Sequence, residues 1–177
     1  NDTRIENVAD AVADLALYFR SQLTHNEPIL LVIDSVAAMD CADNIDSKMT
    51  DAKAEMGGRA KALYKYFRIR SELFYRLGVT QIYINQLRTA LNVGFGKDNT
   101  TTTGGAALKF YASIRAAFYS GRSITVKQKG KERKAGKLVT VRLIKNKVAP
   151  PRPTISKCPV YFNPKFHEVG FDRCFGL

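Results

Sequence analysis

The sequence is poor in residues that build covalent or metal-bound frameworks. Its three cysteines, Cys41, Cys158 and Cys174, are widely spaced and form no Cys-x-x-Cys pair. That pattern argues against a disulfide framework or a zinc site and fits a reducing, cytoplasmic compartment. The two histidines, His25 and His167, fall in loop-like surroundings and read as surface residues rather than ligands. No apolar run approaches 18 residues, and no signal peptide is visible, so no membrane partner is expected. There is no internal repeat. The phosphate-cradling string Gly-x-x-x-x-Gly-Lys-Ser/Thr is also missing. The nearest strings, "GFGKDN" and "GKERKAGK", have the wrong spacing and do not join a strand to a helix.

What is present is a folded and lopsided chain. A hydrophobic content of 45% suffices for a core, and 177 residues set one domain as the default. The net charge of +12 is unevenly spread. Residues 1–60 hold 11 of the 16 acids and 5 of the 28 lysines and arginines, and residues 61–177 hold the rest. A basic half on a folded chain points to a polyanion, nucleic acid first. Solubility, or balance against an acidic segment elsewhere, is the other reading.

Along the chain, residues 4–23 read as an amphipathic helix. Ile5, Val8, Val12, Leu15 and Phe19 recur at helical spacing, and Asp2 or Thr3 can cap its start. "ILLVID" (29–34) and "VTQIYINQ" (79–86) have the continuous apolar character of parallel strands buried on both faces. Between them, residues 40–55 read as a polar loop or short helix, and residues 56–77 as a long helix ending at Gly78. Strand, helix, strand implies a right-handed crossover in an α/β sheet. "SIRAAFYS" (113–120) and "LVTVRLI" (138–144) read as strands flanking an exposed basic hairpin turn, "VKQKGKERKAGK". "TISKCPVYF" (154–162) reads as a last strand, at an edge because Pro159 has no donor.

Several strings carry chemistry. Asp34 ends an apolar strand, where α/β sheets bind ligands, and can hold Mg²⁺ or cap the next segment. Gln86, in "INQLR", emerges at the same sheet edge; its amide can bond a phosphate and its water, or be an ordinary strand-end polar group. Residues 88–105 form a long polar loop, beginning at Arg88 and ending in Gly104 and Gly105. Loops of this size are usually functional, and a disordered loop is the other reading of the same residues. Leu91 and Val93 in it suit a wedge between bases. On the helix, Lys61, Lys65 and Arg68 share one face, opposite Leu63, Phe67, Phe74 and Leu77. Lys145 and Lys147 alternate on one side of a strand end, where two ammonium groups repel unless they share an anion. Solvated surface lysines explain the same pair.

In this order, "LLVIDSVAA", "MGGRAKAL", "INQLR", "VGFGKDNTTTTGGAALKFYASIR" and "RLIKNKVAPP" resemble the bacterial and phage RecA-type recombinase family. The resemblance spans roughly residues 29–155, and its Thr-rich, Gly-Gly string is highly specific. It is weaker in the acidic stretch, the basic hairpin and the tail. It implies an α/β RecA-like P-loop NTPase core, incomplete here, with a mostly parallel central sheet flanked by helices and an added β-hairpin. Residues 1–155 would be the C-terminal part of that core, and 156–177 its last strand and the start of a truncated region. The P-loop and the catalytic Glu of the family would lie before Asn1, so the chain alone is expected not to turn over ATP.

Residue by residue, the resemblance implies that Asp34 is the metal-binding carboxylate, with Ser35 beside it at the nucleotide. Gln86 would be the catalytic sensor of the γ-phosphate. Residues 41–58, ending near Met56, would include a first DNA loop, and 88–105 a second. Met56, Lys61, Arg68, Arg88, Leu91, Gly104 and Gly105 would then meet DNA. Phe110 would couple subunits, and Lys145 and Lys147 would reach ATP on a neighbouring subunit. Tyr64 and Ala106 depart from the small hydroxyl residue and the Asn usual at those positions. The implied cofactors are ATP and Mg²⁺. The implied partners are single-stranded and double-stranded DNA and further copies in a helical filament. The implied function is homologous pairing and strand exchange in DNA repair. An accessory nucleic-acid-binding module without ATPase activity, or a related P-loop helicase, is the alternative.

Overall fold

A computed structural model of the chain describes residues 3–24, 27–42, 45, 57–89, 100–150, 154–162 and 170–171. The first helix, α1 (Ile5–Gln22), is seated by its alanines. Ile5, Ala9, Ala13 and Ala16 are buried, with Val8 and Val12 packed beside them. Leu15 and Phe19, expected in the buried stripe, are exposed. Small side chains let the helix approach its neighbours closely, and that turns the larger ones outward. The expected caps also differ. Asp2 lies outside the described residues, and the cap position is Arg4, whose side chain makes no cap bond. The Ile5 N–H instead donates to the Asp40 carbonyl (2.8 Å), and the Asp40 N–H to that of Thr3 (3.1 Å). A tertiary bridge thus satisfies a donor that a cap would otherwise take.

Strands β1 (Ile29–Asp34) and β2 (Val79–Ile84) pair in parallel, in register from Ile29↔Val79 to Asp34↔Ile84. The chain crosses between them through a 3₁₀ turn (Val36–Ala38) and helix α2 (Gly58–Arg76). Gly78 closes that helix at φ +64°, its N–H donating to the Tyr75 carbonyl, as the sequence anticipates. Ile29, Leu31 and Ile33 alternate inward and join Val79, Tyr83, Leu63, Phe67 and Phe74 in one core with α1.

The two strands were expected to be covered on both faces, and among the described residues only one face is. Leu30 (60% exposed), Val32 (51%), Ile82 and Ile84 are open on the other. Among the described residues, α1 and α2 both pack on the Ile33 side, which leaves the alternate positions without a partner layer.

Residues 88–105, expected to be wholly loop, begin and end as a ribbon. Strands β3 (Leu87–Thr89) and β4 (Thr100–Thr102) pair antiparallel, and the short helix α3 (Ala107–Tyr111) follows. Next comes the hairpin of β5 (Ile114–Gln128) and β6 (Lys131–Asn146), far longer than its sequence pattern, turning at Lys129–Gly130. Strands β7 (Thr154–Tyr161) and β8 (Gly170–Phe171) add to it in the order β5-β6-β7-β8.

The last strand is therefore not the sheet edge at its end: β8 pairs it at Val160 and Tyr161, just after Pro159. Before that point, where proline offers no donor, β8 does not reach. Gly136 is needed because a side chain there would strike the Val160 carbonyl.

The α/β class of the sequence reading holds, with the parallel pairing confined to β1 and β2 among the described strands. The chain packs as two compact units, Asn1–Tyr111 and Ala112–Leu177, where length alone suggested one. Strands β5 and β6 pair with each other along most of their length, and among the described strands their sheet is separate from the β1–β2 pair.

Candidate nucleotide and nucleic-acid site

Asp34 is the last residue of β1 and stands in register with Ile84. Gln86 follows Ile84 by two residues, so both side chains leave the carboxyl end of the same parallel pair. Asp34 and Gln86 are exposed, Ser35 is half-buried, and the peptide between Asp34 and Ser35 is cis. The Gln86 N–H donates to Asn85 Oδ1 at 2.9 Å. Asn85 Nδ2 in turn donates to the Thr103 carbonyl at 2.8 Å. Asn85 thus holds Gln86 on one side and the far end of the long loop on the other. Sequence reasoning passed over it, although an amide between a buried strand and a polar loop is a usable signal.

The loop leaves and returns through β3 and β4, where exposed Arg88 stands opposite Thr101. Leu91 and Val93 lie outside the described residues, as does Met56. Gly104 is buried at φ +91°, and a Cβ there would lie 2.5 Å from Leu63 Cδ1. Gly105 is exposed at φ +65°, and its Cβ would lie 2.8 Å from Ala60 Cβ. Both glycines therefore meet a packing demand at α2, and both take φ values that favour glycine. On α3, Phe110 is 64% exposed, while Tyr111 stacks on Phe67 with centroids 5.4 Å apart.

Helix α2 carries the basic stripe as the spacing predicts. Lys61, Lys65 and Arg68 are exposed, and Leu63, Phe67 and Phe74 are buried on the opposite side. Tyr64 is exposed and meets the Tyr111 ring edge-on at 5.5 Å. Tyr66, unremarked in the sequence, is buried and shares a hydroxyl hydrogen bond of 2.8 Å with Tyr83. Tyr83 also donates to Gln81 Oε1 at 2.6 Å. Burial pushes both phenols up, in Tyr66 against the opposing effects of the Tyr83 bond and Arg70, in Tyr83 reinforced by Tyr66. This pair fastens the basic helix to β2, the strand that leads to Gln86.

The second unit brings Lys145, Lys147 and Arg115 together at the hairpin base. Arg115 is the cross-strand partner of Lys145, and the register slips beside them because Ile144 is an extra residue on β6. The Lys147 N–H donates to the Ser113 carbonyl at 3.0 Å. Asn146 Oδ1 accepts from the Val148 and Ala149 N–H groups at 3.0 and 3.2 Å. Partial desolvation, then Lys147 and Arg115, hold the Lys145 ammonium below the ordinary lysine range.

Among the described residues no three His, Cys, Asp or Glu side chains converge on a metal position. Asp34 alone suits an ion of the Mg²⁺ type, which takes one or two carboxylates and completes its shell with water and phosphate oxygens. No described helix is long and apolar enough to cross a membrane.

Residues 10–163 match the family model described as the RecA N-terminal domain. Protein RecA of Picosynechococcus is 37% identical over 170 residues, 94% of this chain and 47% of that protein. Protein RecA of Bacteroides thetaiotaomicron is 41% identical over 162 residues, covering 91% and 43%. Protein RecA of Porphyromonas gingivalis is 40% identical over 162 residues, covering 91% and 42%. The chain thus spans less than half the length of these relatives.

Proposed function

Because the chain belongs to the RecA N-terminal domain family, we propose that it supplies the C-terminal part of the ATPase core of a DNA recombination and repair protein. Intact, that protein assembles as a filament on single-stranded DNA, pairs it with a homologous duplex and exchanges strands. The observation that carries the proposal is the shared rim. Asp34 and Gln86 leave one end of the parallel pair, and Asn85 joins that rim to the loop at Thr103.

In this reading, bound ATP and Mg²⁺ supply the phosphate chemistry. Asp34 holds the metal, with Ser35 beside it. Gln86 positions the water or γ-phosphate through its amide. Arg88, Gly105 and the buried turn at Gly104 hold DNA phosphates at the loop, while Lys61 and Arg68 hold them along α2. Exposed Phe110 meets a neighbouring copy, and Lys145 and Lys147 reach the nucleotide of that neighbour. Residues 1–155 belong to the core and 156–177 lead into the region beyond it.

A strand-exchange assay on the intact protein, wild type against Gln86→Ala, tests the proposal. The expected result is exchange by the wild type, and a variant that still binds single-stranded DNA but gains no grip from nucleotide. Failure of the wild type to exchange strands, with DNA binding retained, would instead support an accessory binding module.

A further inference from the structure

Residues 112–177 carry fifteen lysines and arginines against three acids, Glu132, Glu168 and Asp172. Glu132, the one acid among that unit's described residues, pairs with Lys127 near the hairpin tip. It lies thirteen residues along β6 from Lys145, about 40 Å at strand rise. The hairpin base is nonetheless where two cations are set directly opposite each other, Arg115 against Lys145, with Lys147 two residues on.

Like charges directly opposed on neighbouring strands are destabilising, since their Cβ atoms stand only about 5 Å apart. Here the arrangement is held by the backbone. The ladder fixes Arg115 and Lys145, the bulge at Ile144 sets their local register, and the bond to Ser113 fixes Lys147. The Lys145 pKa is lowered first by desolvation and then by Lys147 and Arg115, and the latter two agree with cations held close together. Bulges commonly re-aim side chains beside functional sites. Arg115 is half-buried, so its guanidinium is less free than a surface lysine to swing away.

We propose that Arg115 is a third anion-binding cation at this hairpin base, and that Arg115, Lys145 and Lys147 together hold the terminal phosphates of a nucleoside triphosphate. The proposal rests on the assignment of Lys145 and Lys147 to nucleotide made above and adds a residue that assignment lacks. A guanidinium presents a planar fork of donors suited to phosphate, beside two compact ammonium charges. Arg115 supplies direction where the lysines supply charge.

The test is calorimetric titration of the 177-residue chain with inorganic tripolyphosphate. Arg115→Ala and Lys145→Ala should each weaken binding about tenfold, the loss of roughly one charge-assisted contact. Lys131→Ala, at the hairpin tip, should leave the affinity within about twofold, taken as the scatter of a distant surface change. Arg115→Lys should recover part of the loss, which separates lost charge from lost folding. Arg115→Ala should also raise the Lys145 pKa in the free chain, read by NMR of its side chain.

An unchanged affinity in Arg115→Ala alongside a loss in Lys145→Ala would remove Arg115 and leave the lysine assignment standing. No loss in either variant, or no binding by the wild type, would remove both. An equal loss for a single-stranded oligonucleotide would assign the cluster to DNA and overturn the nucleotide assignment.

Discussion

Asn85 Nδ2 donates to the carbonyl of Thr103 across 2.8 Å, joining the tip of β2 to a point 18 residues later in the chain. The bond closes the neck of the long loop directly beside Gln86. Asn85→Ala removes it and leaves a part-buried carbonyl unpaired, a cost of about 1–3 kcal/mol in local stability. Hydrogen exchange should show faster exchange at β3 and β4 with little change in the cores of α1 and α2. Uniform acceleration across the chain would mean that Asn85 supports the whole unit rather than the loop neck.

Gly104→Ala should destabilise the first unit by about 1–3 kcal/mol, because the new methyl meets Leu63 and the φ of +91° disfavours a side chain. Gly130 has a similarly positive φ of +74° with nothing within 4 Å, so Gly130→Asn at the hairpin tip should be nearly neutral. Chemical denaturation of the two variants separates them, and equal losses would show that packing against α2 is not what requires Gly104.

The open face of the parallel pair makes a contrast within one unit. Phe74→Ala should cost about 3–5 kcal/mol, since its side chain is fully buried between the helices and the sheet. Val32→Ala, on the uncovered face, should stay within about 0.5 kcal/mol. A large loss at Val32 would show that this face is covered in solution.

These contrasts mark what the sequence could and could not convey. The parallel strands, the crossover helix, its stop at Gly78 and the basic stripe were legible because each follows from a local rule of period or termination. The uncovered face was not. "ILLVID" has the pattern of a strand with two covered faces whether or not the second layer is present. The rotation of α1 was hidden for a related reason: burial of alanine depends on how closely a neighbour approaches, which no periodicity encodes. That Asp34 and Gln86 leave the same end of the parallel pair was legible because a strand end is a sequence feature. The contacts of Asn85, Tyr66 and Arg115 were not legible, because they are made with residues 18, 17 and 30 positions away.

The buried phenols give a pH dependence. Tyr66 and Tyr83 are both pushed above the ordinary tyrosine range by burial. The folded chain therefore retains protons that the unfolded chain releases above about pH 10. Their contribution is fully present below that pH and declines as pH rises, by up to about 1.4 kcal/mol per unit for each group. Tyr83→Phe should flatten the alkaline decline in stability measured by urea denaturation between about pH 9.5 and 11, around the ordinary phenol value. An unchanged slope would show that Tyr83 ionises normally in the folded chain.

Salt dependence gives the sharpest test of whether α2 and the long loop grip a polyanion beside the Asp34–Gln86 rim. Binding of a single-stranded oligonucleotide would be followed by fluorescence anisotropy across a range of salt, for the wild type and for Lys61→Ala combined with Arg68→Ala. Each phosphate contact contributes about 0.7 to the slope of log affinity against log salt on single strands. The double variant should bind more weakly, with a slope shallower by about 1.4. A slope unchanged from the wild type would contradict that grip.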